Sequence, residues 1–279
     1  MDRRAKLLSG LTLEGTLGLE IGALCRPFIK AADHAVIYAD HASTQALRDK
    51  YRHDPDVQID EIVEVTAVLA EKTLAQAVGR KVDYVVASHV IEHVPDLIGW
   101  LNELTSILQE GGEIRLVVPD KRFTFDYLRN TTRLSDVLYA HLVEARWPLA
   151  HIVMDYVLNV VKLDGAKAWR GLIEPDRLEH HHSLGDAQGI ARQILDSGAY
   201  HDVHCWVFTP QSLAQLFVEL IDHRLIALEC VNFHDTAQDT IEFFVGLRPT
   251  QDYVRARRSW LAMADAAREV RTSRKSDME

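Results

Sequence analysis

The sequence predicts an α/β protein: a seven-stranded, mostly parallel sheet with a terminal antiparallel strand pair and a helical insertion after strand five. Three observations lead there. Through the first 120 residues, short β-branched runs alternate with stretches of helical length, the rhythm of βαβ units. Two late runs, "RLIALECVNF" and "TIEFFVGLRP", are joined only by the six residues "HDTAQD". A parallel crossover needs about a dozen residues, so these two strands must be antiparallel neighbours. Between them and strand five, from about Lys121 to Cys205, the rhythm stops and the chain is rich in His, Arg and aromatics.

In chain order, the strands are read at Leu17–Ile21, Ala35–Ala39, Glu61–Val65, Val82–Ala87 and Glu113–Val118. After strand four, Leu97, Trp100, Leu101, Leu104, Ile107 and Leu108 share one helical face, and Gly111–Gly112 is read as the left-handed stop of that helix. The insertion spans residues 122–205. A helix from about Thr209 to His223 leads into the two late strands. The tail after Thr250 reads as one amphipathic helix whose end, 271–279, is expected to fray. There are no repeats, and 1–279 reads as a single elaborated domain.

Composition bounds the function. Hydrophobic residues make up 47% and charged residues 26%, an ordinary globular balance. The formal net charge of -10 argues against nucleic-acid binding, which needs a basic face. Cys25, Cys205 and Cys230 form no C-x-x-C and imply no disulfide framework, as in cytoplasmic proteins. The start of the sequence lacks a signal-peptide core. The apolar stretch "PLAHIVMDYVLNVVKL" is cut by His151, Asp155 and Asn159, so no membrane span is expected. A soluble, cytoplasmic protein follows as the expectation.

In open parallel sheets, ligands bind outside the carboxyl ends of the strands. Strand one ends "LEIGALCRP", with Glu20 read as its last strand position and Gly22 where backbone can pass close to a ligand. Eighteen residues after Gly22, strand two ends at Asp40, where a carboxylate can accept from two ribose hydroxyls. Strand four is apolar because helices cover both faces, then turns polar at Ser88-His89. Glu92-His93 reads either as part of that polar knot or as a charged pair opening the next helix.

The glycine, the acidic strand end, "ASHVIEHVPD" and "LQEGGEIRLVVPD", in this order, resemble the class I S-adenosylmethionine-dependent methyltransferases over roughly residues 14 to 120. The likeness is to the small-molecule type with a Rossmann-like sheet. It implies that Glu20 and Gly22 line the methionine part of S-adenosylmethionine and that Asp40 holds the ribose. It also implies that the loop around Thr66 and Ala67 faces the adenine, and that Ser88 and His89 lie near the transferred methyl. The family's loop usually has further glycines where Leu24 and Arg26 stand; Arg26 and Pro27 suggest a stiffer, charged loop that meets the cofactor carboxylate.

A cofactor that brings its own activated methyl leaves the protein to place the acceptor and, for a hydroxyl, to remove its proton. The insertion overhangs the strand ends and is expected to bind substrate. "VVPDKRFTFDYLR" puts Asp120, Lys121, Arg122, Asp126 and Arg129 directly after strand five, read either as substrate contacts or as a solvated turn. "LEHHHSLGD" and "YHDVHCWVFTP" carry His180, His181, His182, His201, Asp202 and His204. Three readings stand: surface histidines; a proton-accepting His204 or His182 oriented by Asp202, which shares one face of an extended segment with His204; or a metal site. No tight ligand spacing stands out, so no metal is expected.

The fuller set of motifs is similar to a bacterial subgroup of methyltransferases that accompany surface-polysaccharide assembly. This implies a small-molecule or glycan acceptor, foremost a sugar hydroxyl, and an O-methylation. Two other functions compete. A nicotinamide-dependent oxidoreductase is opposed by the incomplete G-x-G-x-x-G loop and the lack of a Tyr-x-x-x-Lys pair. A non-catalytic cofactor-binding homologue is opposed by the polar insertion. Acceptor and oligomeric state are not readable.

Overall fold

The computed structural model describes residues 1–70 and 72–276, with side chains through residue 267. Helix α1 (Arg3–Leu7) precedes β1 (Leu17–Ile21), β2 (Ala35–Asp40), α2 (Thr44–Lys50), β3 (Ala67–Val68), α3 (Leu74–Val78), β4 (Val82–Ser88), α4 (Leu97–Ile107) and β5 (Leu108–Pro119). Four helices follow: α5 (Leu134–Leu142), α6 (Ala150–Asn159), α7 (Gly165–Trp169) and α8 (Leu184–Ser197). The chain then closes with α9 (Pro210–Asp222), β6 (Leu228–His234), β7 (Glu242–Pro249) and α10 (Tyr253–Ser276).

The seven strands form one sheet in the order β3-β2-β1-β4-β5-β7-β6. The first five are parallel, and β7 runs antiparallel to both β5 and β6. Strand order reverses at β1 and β4, which opens a crevice at their carboxyl ends. Helices cover both faces, and β4 shows the consequence: Val85 and Ala87 enter the larger core with α4 and α9, while Tyr84 and Val86 enter a second core with Leu7, Phe28 and Ile29. At about 25 cal/mol per Å², burying such side chains contributes roughly 1.5–3 kcal/mol each.

The helix read from Thr209 to His223 is α9, with Thr209 as N-cap in a reciprocal capping box with Ser212 and Pro210 in its first turn. Two expectations are corrected. Strand three was expected at Glu61–Val65; residues Ile59–Glu61 instead make a 3-10 turn, and only Ala67–Val68 pair with β2. Ile62 is buried against Cys25 and Leu47, and Val63 N–H donates to the Leu24 carbonyl, so this β-branched run packs beneath the loop after β1. Gly111–Gly112 does not cap α4. The helix ends in the extended residue Leu108, and the glycines form an irregularity inside β5. Gly111 has φ +78°, and a Cβ on Gly112 would lie 2.9 Å from the Asp83 carbonyl oxygen. The predicted fraying of 271–279 falls on residues whose side chains, and from 277 the chain itself, lie outside the described residues.

Candidate functional site

The carboxyl ends of β1, β2 and β4 meet at the crevice. Gly22 turns away from β1 with φ +70°, donating its N–H to the Ala39 carbonyl at 3.0 Å. A Cβ there would stand 3.1 Å from Val90 Cγ2. Leu24 adopts the left-handed φ of +47°, the conformation a glycine takes without strain. Arg26 donates to the Asp56 carbonyl rather than reaching over the crevice.

Glu20 corrects an expectation. Its carboxylate accepts the N–H groups of Phe28 (2.8 Å) and Ile29 (2.9 Å), and the residue is 2% exposed. It ties down the loop after β1 from beneath and presents no surface to a ligand. Burial raises its pKa to about 7, against the lowering effect of the two backbone donors and Arg4.

Asp40, the last residue of β2, is buried. Its Oδ1 accepts from the His41 N–H at 2.7 Å and faces His41 Nδ1 at 2.5 Å. Among the described residues Oδ2 has no partner, so one oxygen is left for a ligand. Thr66 is corrected in register: β3 aligns Val68 with Asp40, which puts Thr66 on the amino side of the strand, away from the crevice edge. Leu69, whose N–H donates to the Asp40 carbonyl, is the residue that edge presents.

Ser88 ends β4, and His89 follows with φ +54°. His89 Nε2 lies 2.8 Å from Glu242 Oε2, at the start of β7, and its Nδ1 lies 3.5 Å from Glu92 Oε1. Arg3 also holds Glu242. Glu92 and His93 are not the start of a helix: α4 begins at Leu97 behind its N-cap Asp96. Glu92 is fully buried and neither of its carboxylate oxygens accepts a hydrogen bond. The Glu92 carbonyl accepts from the N–H groups of Cys205 and Trp206, which pins the returning segment 203–208 against the end of β4.

That return brings four dispersed residues together. His204 Nδ1 lies 2.6 Å from Asp126 Oδ2, and His93 Nδ1 lies 2.9 Å from Asp202 Oδ1. An ionised carboxylate only accepts, so in both pairs Nδ1 carries the hydrogen, and in the neutral ring the lone pair stands on Nε2. The two rings meet edge to face, 4.8 Å between centroids. The expected pairing of His204 with Asp202 is thus replaced. The reason is the Asp126 carboxylate, which is buried directly against His204. Burial alone would raise the Asp126 pKa, but the His204 hydrogen bond and the charges of His204 and Arg129 hold it below the usual carboxylate range. The His93 hydrogen bond likewise lowers Asp202. For His93, burial disfavours the charged ring, yet Asp202 and Glu92 raise its pKa overall. His182 is exposed beside the start of α8, and the structure does not bring it into this cluster.

The residues after β5 divide. Asp120 is fully buried, accepting from Arg122 Nε at 2.8 Å and from Thr236 Oγ1 at 2.8 Å. Arg129 is buried between Asp126 (2.8 Å), Asp155 (2.9 Å) and the His204 carbonyl (2.9 Å). Asp120, Asp126 and Arg129, expected to touch substrate, are instead taken up by partners within the chain: Asp120 by Arg122 and Thr236, and Asp126 and Arg129 by each other. Lys121, which donates to the Tyr127 carbonyl, and Arg122 keep partial exposure. Burial lowers the Lys121 pKa. A cavity of about 260 Å³ shares Arg129, Cys205 and Trp206 with this region and is lined further by Asn130, Thr132 and His151.

Sequence comparison finds a family described as "Methyltransferase domain" matching residues 28–220. No curated protein matches the chain by sequence. Solved structures similar to it include the CcbJ methyltransferase from Streptomyces caelestis, at 12% identity over 89% of this chain and 94% of that one, with a TM-score of 0.44. The glycopeptide N-methyltransferase MtfA complexed with S-adenosylmethionine matches at 12% identity over 85% and 83%, with a TM-score of 0.38. Magnesium protoporphyrin IX methyltransferase ChlM from Synechocystis PCC 6803 with bound S-adenosylhomocysteine matches at 12% identity over 88% and 80%, with a TM-score of 0.37. At such scores these resemblances carry no weight for the acceptor.

Proposed function

The chain belongs to the methyltransferase-domain family, and on that premise we propose that it transfers the methyl group of S-adenosylmethionine to a small-molecule or glycan acceptor, foremost a sugar hydroxyl. The crevice suits the methyl donor in two respects: Gly22 offers backbone without a side chain, and Asp40 keeps an oxygen for ribose hydroxyls. Ser88 and His89 stand where the methionine end would lie. When bound, the sulfonium supplies the activated methyl, and the remaining work falls to this chain's own residues.

The observation that carries the acceptor reading is the histidine cluster. A hydroxyl must lose its proton as the methyl arrives, whereas a neutral amine needs no such help before attack. His204, held by Asp126 on Nδ1, offers a basic Nε2 beside His93 and Glu92. The segment 122–205 forms the acceptor-binding insertion in this reading. The cavity beside Trp206, with Asn130, Thr132 and His151 in its wall, suits a ligand rich in hydroxyls. Among the described residues no helix is long and apolar enough to cross a membrane. The three unpaired cysteines suit a cytoplasmic setting, where such an acceptor is a nucleotide sugar or the exposed head of a lipid-linked glycan.

The test is product analysis. The protein and S-adenosylmethionine are incubated with a panel of nucleotide sugars and lipid-linked glycans, with amines as controls, and products are read by mass spectrometry. Methylation confined to amines would overturn the hydroxyl assignment. S-adenosylhomocysteine failing to bind in a calorimeter would overturn the methyl-donor assignment.

A further inference from the structure

We propose that Glu92, His93 and His204 form a binding site for one divalent transition-metal ion, Zn²⁺ before others, at the end of β4. A donor atom from each residue lies within 4.8 Å of the others. Two imidazoles and one carboxylate are a donor set that suits Zn²⁺ and related ions, whereas Mg²⁺ and Ca²⁺ favour all-oxygen sites.

Two further observations point the same way. Each histidine has its Nδ1 committed to a carboxylate, His93 to Asp202 and His204 to Asp126. That arrangement orients a metal-ligating imidazole and fixes its tautomer, and it leaves Nε2 as the ligand atom. Among the described residues neither Nε2 has a hydrogen-bond partner. The second observation is Glu92 itself, wholly buried with both oxygens unpartnered. A buried carboxylate without hydrogen bonds is costly. The nearest counter-charge, His89 Nδ1 at 3.5 Å, faces one oxygen only. A divalent ion between Glu92 and the two Nε2 atoms satisfies the carboxylate.

The geometry needs a small closure. Tetrahedral coordination at about 2.0–2.1 Å separates ligand atoms by about 3.4 Å, so donor atoms that stand up to 4.8 Å apart must draw together on binding. Binding exchanges any proton on His93 for the ion and leaves room for further ligands. One consequence rests on the methyl-transfer reading: the ion, not a free imidazole, would then polarise the acceptor hydroxyl, and His204 would act as ligand. The binding itself does not depend on that reading.

Protein freed of metal with EDTA is titrated calorimetrically with Zn²⁺, and separately with S-adenosylhomocysteine. The expected result is one Zn²⁺ per chain, weakened about a hundredfold or more in Glu92→Gln and in His204→Ala. Asp126→Asn and Asp202→Asn should weaken it about tenfold to a hundredfold through ligand orientation. The double variant His181→Ala/His182→Ala controls for exposed histidines and should leave it intact. Melting curves of the metal-free proteins show which variants fold; if Glu92→Gln does not, His93→Ala joins His204→Ala in the comparison. Zn²⁺ binding that is absent, unchanged in Glu92→Gln and His204→Ala, or lost in the double variant overturns the site. Zn²⁺ binding retained while S-adenosylhomocysteine fails to bind upholds the metal site and removes the methyl-donor reading.

Discussion

His204 donates its Nδ1 hydrogen to Asp126 Oδ2 at 2.6 Å, although 78 positions separate the two in the chain. Asp126 lies in the turn after β5, and His204 lies in the segment that returns from the insertion to α9. Their contact joins the two ends of the insertion at the point where strand ends converge. The same carboxylate holds Arg129 through its other oxygen, so one side chain both orients the imidazole and neutralises a buried cation.

Asp126 should therefore respond differently to two substitutions. Asp126→Asn keeps the shape but weakens the hold on Nδ1–H, and turnover should fall by about tenfold to a hundredfold with cofactor affinity unchanged. Asp126→Ala also strips Arg129 of a buried partner and should cost about 3 kcal/mol of stability. That figure sits at the low end because Asp155 and the His204 carbonyl still hold Arg129. Urea unfolding of the two variants beside steady-state kinetics separates the effects. Equal stabilities would show that Arg129 does not need Asp126.

Asp40→Ala should weaken S-adenosylhomocysteine binding by roughly tenfold to a hundredfold, the effect of about 1.5–3 kcal/mol for charge-assisted hydrogen bonds. Calorimetry reads this directly. An unchanged affinity would remove Asp40 from the ribose site.

Gly22 should tolerate no side chain, for two separable reasons. At φ +70° an alanine is strained by about 1–2 kcal/mol. Its Cβ would also press to 3.1 Å from Val90 Cγ2, at the place where a ligand approaches the backbone. Gly22→Ala should lower the melting temperature by a few degrees and weaken cofactor binding; full affinity in the folded variant would place the ligand elsewhere.

Glu20 predicts a pH dependence. Its folded-state pKa of about 7 lies above the ordinary 4.5, so the folded protein binds this proton more tightly than the unfolded chain. The stabilising contribution is complete below the unfolded value and is lost as pH rises through about 7, a span of the order of 3 kcal/mol. Melts from about pH 5 to about pH 8 should show this loss in the native protein and a flatter profile in Glu20→Gln. Parallel profiles would mean that the two backbone donors outweigh burial and keep Glu20 ionised.

Several elements were legible because their signals are local. The apolar run of β4, the "HDTAQD" connection that forces β6 and β7 antiparallel, and the Thr209 cap of α9 each depend on residues within a dozen positions. The crevice edge was legible in part: Gly22, Asp40, Ser88 and His89 all sit at strand ends. Strand three was misread because Ile62 and Val63 have strand chemistry, yet Cys25 and Leu47 claim Ile62 from across the loop after β1.

The sequence by itself determined six of the seven strands, the mostly parallel sense of the sheet and part of the crevice edge, since periodicity and turn length act along the chain. Tertiary structure alone decided the partners. His204 took Asp126 rather than the neighbouring Asp202, Asp202 took His93 from 109 positions away, and Glu92 was buried between them without a donor. Glu20 turned inward to hold two backbone N–H groups. Which carboxylate a histidine meets depends on where separate elements come to rest, and that is set by the packing of the whole core, which no local pattern encodes.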